Sequence, residues 1–318
     1  MPVLHLDVKA LQDHTCKNAC ATIVVLGPTA SGKSELALHI AQTLTGEIVN
    51  FDSVQVYRKF DLGSAKTPYS ERQGIPHHLI DIVEPDQLFT AGDFARTARS
   101  VVHEIAGRHR IPVLVGGTGF YLRALLEGLP PGPERNEELR MRLLEHESRR
   151  DGSLHRILGR LDPRAAARIH PNDSKKVVRA LELCIVRRQP ASDLLTREKD
   201  SLRGFRVIKI GLDPPRPALF ERINQRVGEM FERGLIQEVQ SILSSGVPKS
   251  AKPFESLGYC QALAHLEGRL SMEEAIRLTR QATRQYAKRQ MTWFRREPDV
   301  HWFQDFGANV LPVRLTLN

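Results

Sequence analysis

The feature that most constrains this chain is GPTASGKS at 27–34, which matches the phosphate-binding pattern G-x-x-x-x-G-K-[ST]. The apolar, β-branched run ATIVVLG at 21–27 precedes the loop and predicts a buried parallel strand. The segment SELALHIAQTL at 34–44 follows, and three of its apolar residues fall on one side of a helix. Strand, glycine-rich loop and helix therefore come in the order that phosphate binding requires, and a glycine turn without a ligand is the weaker interpretation.

Further strand signals place this loop in a larger sheet. EIVNFDS at 47–53, RIPVLVGGTG at 110–119 and FRVIKIGLD at 205–213 each predict a strand. Their alternation with helical segments predicts an α/β fold, a P-loop-type parallel sheet flanked by helices. Ligands of such sheets bind beyond the carboxyl ends of the strands. The residues that should gather there are 32–34, Asp52, Ser53 and 116–118.

The domain organisation follows from a change of pattern after GLPPGPER at 128–135. The next stretch is helical and heavily charged, and no strand signal returns before Phe205. This predicts a helical insertion domain at 133–204 within a discontinuous catalytic core. The predicted divisions are an N-terminal extension at 1–20, the core at 21–132 and 205–306, the insertion, and a C-terminal tail at 307–318.

The charge of the chain predicts a polyanionic partner. The net charge is +9 and the isoelectric point is about 9.6. The segment 275–296 holds seven Lys and Arg and no acid, with aromatic Tyr286, Trp293 and Phe294 interleaved. Five of its cations recur at helical intervals and form one basic stripe: Arg277, Arg280, Arg284, Lys288 and Arg295. An all-positive stripe of this length favours contact with a nucleic-acid backbone over a merely solvated face.

Two absences in the sequence indicate a cytoplasmic protein with no membrane span. No apolar run approaches the ~20 residues of a membrane span, and the first 20 residues do not resemble a secretion signal. The four cysteines, Cys16, Cys20, Cys184 and Cys260, do not make a disulfide framework. Cys16 and Cys20 lack a second Cys or His pair, so we interpret them as free thiols rather than a zinc site.

Within the phosphate loop, the backbone N–H groups of 29–34 should point at phosphate oxygens. Lys33 should neutralise a terminal phosphate, and the Ser34 hydroxyl should hold Mg²⁺. A nucleotide hydrolase or kinase also needs an acid at the end of a neighbouring strand. The natural candidate, IPVLVGGTG, ends in Gly116-Gly117-Thr118 without a carboxylate, which weakens the nucleotide interpretation.

Asp52 follows the second predicted strand, and its role stays open at this point. The carboxylate could bind Mg²⁺, act as a general base, or cap the next helix. Gln55 and Tyr57 would suit the edge and face of a nucleobase. Arg222 and Arg226, spaced four apart, could reach an anionic ligand or lie on the surface. The histidines of PHHLIDI at 76–82 make a poor metal site, and a loop that packs on the core is favoured.

Taken in order, the motifs resemble one family, the tRNA dimethylallyltransferases or bacterial tRNA isopentenyltransferases. The resemblance covers about 21–304, nearly the whole chain. Two departures, Ser34 and Ser64 where Thr is usual in the family, put no activity in doubt. The matching stretches are GPTASGKSELAL, NFDSVQVYR, GSAKTP, PHHLID, VGGTGFYLRALLEGL, RIHPNDSKKVVRALE, the segment around SLGY, and TRQYAKRQMTWFR.

The resemblance implies transfer of a dimethylallyl group from dimethylallyl diphosphate to N6 of the adenosine 3′-adjacent to the anticodon. The products would be N6-isopentenyladenosine and diphosphate, and the partners would be Mg²⁺ and the tRNA anticodon stem-loop. The insertion would clamp that stem-loop from the side opposite the core. The target base would be extruded from the loop, as chemistry on a stacked base requires. We expect a monomer.

The resemblance also implies site residues, which we carry over position by position. Asp52 is the implied base, Thr118 contacts the oxygen between carbon and phosphorus, and Lys33 stabilises the leaving group. The implied diphosphate-binding residues are Gly27, Pro28, Thr29, Ala30, Ser31, Gly32, Lys33, Ser34, Arg222 and Arg226, with Ser34 also holding the metal. The implied tRNA-binding residues are Asp52, Ser53, Val54, Gln55, Thr118, Arg140, Lys175, Lys176, Val177, Val178, Arg179, Gly258, Tyr259, Arg284 and Lys288.

Two alternatives remain beside this hypothesis. A small-molecule or nucleoside kinase would use the loop for ATP, but it would need the acid that is missing after Val115. A nucleic-acid-binding module with a vestigial loop would not need the intact Gly32-Lys33-Ser34. Dimethylallyl transfer into tRNA, as against ATP turnover, separates the three.

Overall fold

The structure, a computed structural model, describes residues 6–7, 20–130, 132–194, 199–310 and 315–316. Cys16, predicted to be a free thiol, lies outside the described residues. A parallel sheet with helices around it confirms the predicted α/β class. Within the described ranges, no helix is both long and apolar enough to cross a membrane.

Six strands form the main sheet, in the order β4-β3-β5-β2-β6-β7, and every neighbouring pair is parallel. The strands are β1 (Leu6–Asp7), β2 (Cys20–Leu26), β3 (Gly46–Asn50), β4 (His77–His78), β5 (Ile111–Val115), β6 (Phe205–Leu212), β7 (Val300–Phe303) and β8 (Leu315–Thr316). β1 and β8 pair separately. The sequence predicts β2, β3, β5 and β6, whereas the short strands β4 and β7 carry no such signal. His77 and His78, predicted to lie in a loop, instead form β4 and pair with β3.

Helices connect these strands and fill the insertion. They are α1 (Lys33–Thr43), α2 (Ala91–Gly107), α3 (Gly119–Leu126), α4 (Glu137–Arg149), α5 (Ser153–Leu161), α6 (Pro163–Arg168), α7 (Ser174–Arg187), α8 (Ala191–Leu194), α9 (Arg216–Glu232), α10 (Leu235–Ser244), α11 (Tyr259–Leu266), α12 (Met272–Phe294) and α13 (Gly307–Val310). Two short 3₁₀ helices span Tyr69–Glu71 and Lys252–Glu255.

The central strand β2 explains why the sheet is covered on both faces. Ile23 and Val25 belong to one apolar cluster with residues of α1, and Val24 and Leu26 belong to another with residues of α2 and α3. Successive side chains of a strand point to opposite faces, so a strand buried on both sides reads as a continuous apolar run. The carboxyl ends of β2, β3 and β5 therefore lie side by side at one edge.

The chain divides into two compact units, one running to Leu126 and resuming at Leu202, the other spanning Glu127–Ser201. The second unit contains α4 to α8 and has its own apolar core, with Leu154, Leu158 and Leu181 fully buried. Asp162 is buried beside that core, where it accepts hydrogen bonds from the Ala165 and Ser192 backbone N–H groups at 3.0 and 2.7 Å. These bonds satisfy a carboxylate that would otherwise be costly to bury.

Candidate active site

The phosphate loop, residues 27–34, connects β2 to α1. Gly32 has a left-handed φ of 84°, which favours glycine, and a Cβ there would lie 2.9 Å from the Gly307 nitrogen. The Lys33 ammonium donates a hydrogen bond to the Pro28 carbonyl oxygen at 2.6 Å, so the side chain folds back over the loop. Ser34 is exposed in the first turn of α1. The loop thus presents an ammonium group and a hydroxyl group close together in the chain.

Two of the predicted phosphate donors have partners inside the protein. The Thr29 N–H donates to Gln290 Oε1 at 2.8 Å, and the Ser31 N–H donates to the Pro28 carbonyl at 3.3 Å. Ser31 Oγ, by contrast, is buried and has no hydrogen-bond partner among the described residues. Thr29 therefore holds the loop in place through its bond to Gln290.

Asp52 lies just beyond β3 and is held by backbone groups. Its Oδ1 accepts hydrogen bonds from the N–H groups of Val54 at 2.8 Å and Gln55 at 3.3 Å. The other oxygen, Oδ2, lies 3.9 Å from where a Cβ on Gly117 would be. The residues after Asp52 form a turn and not the helix whose capping the sequence leaves open, so one oxygen caps that turn and the other faces the end of β5.

Three charged groups around the loop perturb one another. Burial raises the pKa of Asp52, although the hydrogen bonds from Val54 and Gln55 and the charges of Lys33 and Arg226 oppose that rise. Burial and the charge of Arg226 lower the pKa of Lys33 to about 7, with Asp52 opposing. Burial and the charge of Arg222 lower the pKa of Arg226. The two crowded cations would favour an anionic ligand, and the carboxylate of raised pKa would favour taking up a proton.

Thr118 connects the ends of β3 and β5. Its Oγ1 accepts a hydrogen bond from the Ser53 N–H at 3.1 Å and lies 3.3 Å from Ser53 Oγ. Tyr286 of α12 is enclosed, and burial raises the pKa of its phenol while hydrogen bonds with Thr118 and Gln290 oppose that rise. The predicted residues Asp52, Ser53 and Thr118 therefore lie together.

The glycines that end β5 allow other groups to approach closely. A Cβ on Gly117 would lie 2.2 Å from Gln290 Nε2, and one on Gly119 would lie 2.1 Å from the Trp293 ring. Both contacts are far shorter than van der Waals distance, so α12 can pack here only because these positions lack side chains. The missing acid after β5 thus coincides with the docking of a helix.

A cavity of about 340 Å³ opens beside the loop and Asp52, a volume that suits a small organic ligand. Its apolar wall includes Ile223, Val227 and Met230 of α9. Its polar lining includes Thr29, Asp52, Ser53, Arg226, Ser256, Thr283, Tyr286 and Arg289. Arg222 is exposed instead, and its guanidinium stacks over the Phe306 ring at 5.0 Å.

The GSAKTP stretch forms another wall of this cavity through Gly63, Ser64 and Ala65. The Gln55 amide donates to the Ser64 and Ala65 carbonyls at 3.0 and 3.3 Å, so it holds this wall. Lys66 donates to Asp81 Oδ1 at 2.5 Å, and this ion pair joins the GSAKTP stretch to the PHHLID stretch. Both motifs are therefore parts of the cavity's frame.

Two further predicted tRNA contacts, Gly258 and Tyr259, lie at the start of α11, and the side chain of Tyr259 is buried. Tyr259 is fully buried, donates to Glu238 Oε1 at 2.5 Å, and accepts from the Gly63 N–H at 3.0 Å. Its side chain cannot reach a ligand and instead fixes the cavity wall. The same holds for Val177 and Val178, which are 2% and 4% exposed in the core of the second unit.

The remaining predicted cations have distinct surroundings. Arg284 donates to Asn224 Oδ1 at 2.5 Å, whereas Lys288 is exposed with its ammonium 5.7 Å from the Phe220 ring centroid. In the second unit, Lys175 and Lys176 are exposed at the start of α7. Arg140 and Arg179 both pair with the buried carboxylate of Glu182, at 2.7 and 2.5 Å.

Three residues of the site were not predicted from the sequence: Gln290, Glu238 and Arg289. Gln290 and Glu238 act through hydrogen bonds to backbone groups far along the chain, and neither belongs to a motif of reactive residues. A single glutamine within a basic stripe gives no signal of such a bond. Arg289, which lines the cavity, was hidden for a similar reason: it falls outside the predicted stripe.

Comparisons with known proteins agree on one family. The model of the family described as IPP transferase matches residues 55–297. A tRNA dimethylallyltransferase of Solibacter usitatus is 58% identical over 92% of this chain and 95% of its own length. One of Koribacter versatilis is 53% identical over 91% of this chain and 94% of its own.

Solved structures show the same fold. The full-length tRNA isopentenylpyrophosphate transferase of Bacillus halodurans is 37% identical, with a TM-score of 0.68 over 92% of this chain and 94% of that one. A eukaryotic dimethylallyltransferase captured acting on tRNA is 28% identical, with a TM-score of 0.78 over 91% of this chain and 75% of that one. These similarities favour the prenyltransferase hypothesis over the kinase.

Proposed function

Because this chain belongs to the IPP transferase family, we propose that it transfers a dimethylallyl group from dimethylallyl diphosphate to tRNA. The acceptor is N6 of the adenosine 3′-adjacent to the anticodon, and the products are N6-isopentenyladenosine and diphosphate. The observation that carries this proposal is that Asp52 and the phosphate loop line one cavity beside a basic helix. The geometry brings a base and an anion-binding loop to the same small volume.

Asp52 is the general base in this proposal. The N6 lone pair is delocalised into the adenine ring, so its proton must leave as the bond to the allylic carbon forms. Burial raises the pKa of Asp52, which makes the carboxylate a better proton acceptor. The hydrogen bonds from Val54 and Gln55 fix one oxygen and leave the other to take the proton.

The leaving diphosphate is stabilised by the phosphate loop. The charges of Lys33 and Arg226 both lower the pKa of Asp52, and each of these two cations is itself crowded by positive charge. An arriving anion relieves that crowding, so the site is prepared for negative charge before the substrate binds. Thr118 donates to the oxygen between carbon and phosphorus. Gly27, Pro28, Thr29, Ala30, Ser31, Gly32 and Ser34 form the cradle, and Arg222 reaches it from α9.

Mg²⁺ fits the donor set as a substrate-borne ion. Among the described residues, no group of three or more His, Cys, Asp or Glu could hold a metal. Mg²⁺ commonly takes most of its ligands from phosphates and water, so one protein hydroxyl suffices. Ser34, exposed at the first turn of α1, supplies that hydroxyl. The ion adds positive charge at the diphosphate when bound.

The tRNA is bound by cations of both units, of which Lys175, Lys176 and Lys288 are exposed. Arg284 and Lys288 of α12 contact the backbone near the cavity, together with Ser53, Val54, Gln55 and Gly258. Lys175, Lys176, Arg140 and Arg179 do so in the second unit. Phosphate contacts of this kind supply affinity, whereas the cavity admits only an extruded base. We propose that the enzyme works as a monomer in the cytoplasm, which size-exclusion chromatography and cell fractionation would check.

A transfer assay tests this proposal. The protein is incubated with labelled dimethylallyl diphosphate, Mg²⁺ and unmodified tRNA, and the tRNA is digested to nucleosides. The expected result is label in N6-isopentenyladenosine from the position beside the anticodon. Turnover of ATP without label in tRNA would instead support a kinase and refute the proposal.

A further inference from the structure

Gln290 joins the two halves of the active site. The side chain is 5% exposed, although it lies on a basic helix with several solvent-facing residues. Its Oε1 accepts the Thr29 N–H of the phosphate loop at 2.8 Å, and its Nε2 donates to the Gly117 carbonyl at 2.9 Å. One amide thus bridges the cradle of the leaving group and the end of β5.

The surroundings of Gln290 fit this bridge closely. A Cβ on Gly117 would lie 2.2 Å from Gln290 Nε2, so glycine is required where the amide enters. Gly117 is followed directly in the chain by Thr118, and Tyr286, one helical turn before Gln290, lines the cavity. Thr118 in turn bonds with Ser53 beside Asp52. The network therefore runs from the phosphate loop through α12 to the residues that face the reacting atoms.

We propose that Gln290 is a positioning residue that sets the phosphate loop at the correct distance from Thr118 and Asp52. This inference rests on the proposed function, because that distance matters only if the loop holds a leaving group. A glutamine is needed because one end of the bridge must accept a hydrogen bond and the other must donate one. A residue that can do only one of these leaves a buried backbone group unpaired.

The first variant removes both bonds at nearly constant volume. Gln290→Met should lower the single-turnover rate of dimethylallyl transfer by about 100-fold, the effect of a misplacement of about 1 Å at a reacting centre. The affinity for tRNA should stay at the wild-type value, because Gln290 is buried and makes no contact with solvent-facing groups. Wild-type transfer rates in this variant would overturn the proposal.

The second variant makes the bridge depend on pH. In Gln290→Glu the ionised carboxylate still accepts the Thr29 N–H but opposes the Gly117 carbonyl. The protonated carboxyl restores the donor, and burial raises the pKa of such a group. The rate relative to wild type should therefore rise as the pH is lowered, a signature that a merely structural role would not give. A ratio that stays constant with pH would refute the proposal even if Gln290→Met fails to fold.

Other titratable groups lie in the same site, and their pH dependence must be distinguished from that of the carboxylate in Gln290→Glu. They are Asp52 after β3, Lys33 in the phosphate loop and Tyr286 on α12. Division by the wild-type rate at each pH removes the part of the pH dependence that the variant and the wild-type protein share. Gln285→Glu, on the exposed face of the same helix, adds the same charge and should show the wild-type pH profile. If the wild-type protein itself showed no dimethylallyl transfer, the proposed function would be refuted. Wild-type rates in both Gln290 variants would refute only this inference.

Discussion

At the scale of single residues, Lys33 has an ammonium group whose pKa lies near neutral pH. Burial and Arg226 lower the pKa of its ammonium to about 7, so part of the population is neutral near that pH. A bound diphosphate favours the charged form. Binding of an unreactive analogue of dimethylallyl diphosphate above this pH should therefore take up as much as about one proton per site.

Calorimetry in buffers of different ionisation enthalpy measures this uptake. The charge of Lys33 in the free protein is lost as the pH rises through about 7, so the proton uptake on binding should grow over that range. At acid pH Lys33 is already protonated, and its uptake should be absent. Lys33→Met should lack this proton, while any contribution from Asp52 persists in both proteins. Equal proton uptake by Lys33→Met and wild type would contradict the assignment.

Tyr259 illustrates a residue whose motif position suggests contact with the ligand but whose role is internal. Tyr259→Phe removes the hydroxyl that donates to Glu238 and accepts from the Gly63 N–H. We expect a loss of about 2 kcal/mol in the free energy of unfolding, measured by urea denaturation, because the lost bond involves a charged partner. Tyr69→Phe, at a tyrosine that is 86% exposed, should change stability little. Unchanged stability in Tyr259→Phe would contradict a framing role for the hydroxyl.

Motif chemistry could predict Lys33, Ser34, Asp52 and Thr118, since each follows a strand or belongs to the phosphate loop. It could not predict Gln290, whose partner Thr29 lies 261 positions away. The burial of Val177 and Val178 follows from the apolar helical spacing that they share with Leu181, which a motif match by itself does not take into account. Local pattern identifies reactive groups, and only the packed structure identifies the residues that hold them.

At the scale of elements, α12 joins the proposed tRNA-binding face to the core. Its inner face packs against the glycines that follow β5, and a Cβ on Gly119 would lie 2.1 Å from the Trp293 ring. Gly119→Ala should lower the free energy of unfolding by about 1–3 kcal/mol, the usual cost of overpacking around a rigid ring. Gly107→Ala in α2, where no atom lies within 4 Å of the added Cβ, is the matched control and should not destabilise.

Thermal and urea unfolding of the two variants provide this comparison. Equal stability of Gly119→Ala and Gly107→Ala would mean that α12 does not dock where the structure has it.

The outer face of α12 is expected to bind tRNA phosphates. Lys288 is exposed there, so Lys288→Ala should weaken tRNA binding and reduce the slope of log affinity against log salt by about 1. Lys249→Ala removes an exposed lysine that is already paired with Glu267 at 3.0 Å, and should leave the slope unchanged. Filter binding over a salt series gives both slopes. An unaltered slope for Lys288→Ala would exclude a phosphate contact.

At the scale of the whole molecule, only some strands of the main sheet could be predicted from the sequence. The buried strands β2, β3, β5 and β6 are continuous apolar runs and can be recognised locally. The edge strands β4 and β7 are short, and β4 consists of His77 and His78, whose imidazoles bond to neighbours at the sheet edge. Such strands form because a neighbour supplies hydrogen bonds, which no local pattern records.

All the assignments meet at Asp52, so the most direct test of the account is one substitution there. In Asp52→Asn the amide oxygen can still accept the N–H groups of Val54 and Gln55, so the loop geometry is kept while the base is lost. With tRNA already bound, the single-turnover rate of dimethylallyl transfer should fall about 10²–10⁴-fold, the usual contribution of a general base. The dissociation constant for tRNA should stay close to wild type. A near-normal transfer rate in Asp52→Asn would contradict the account.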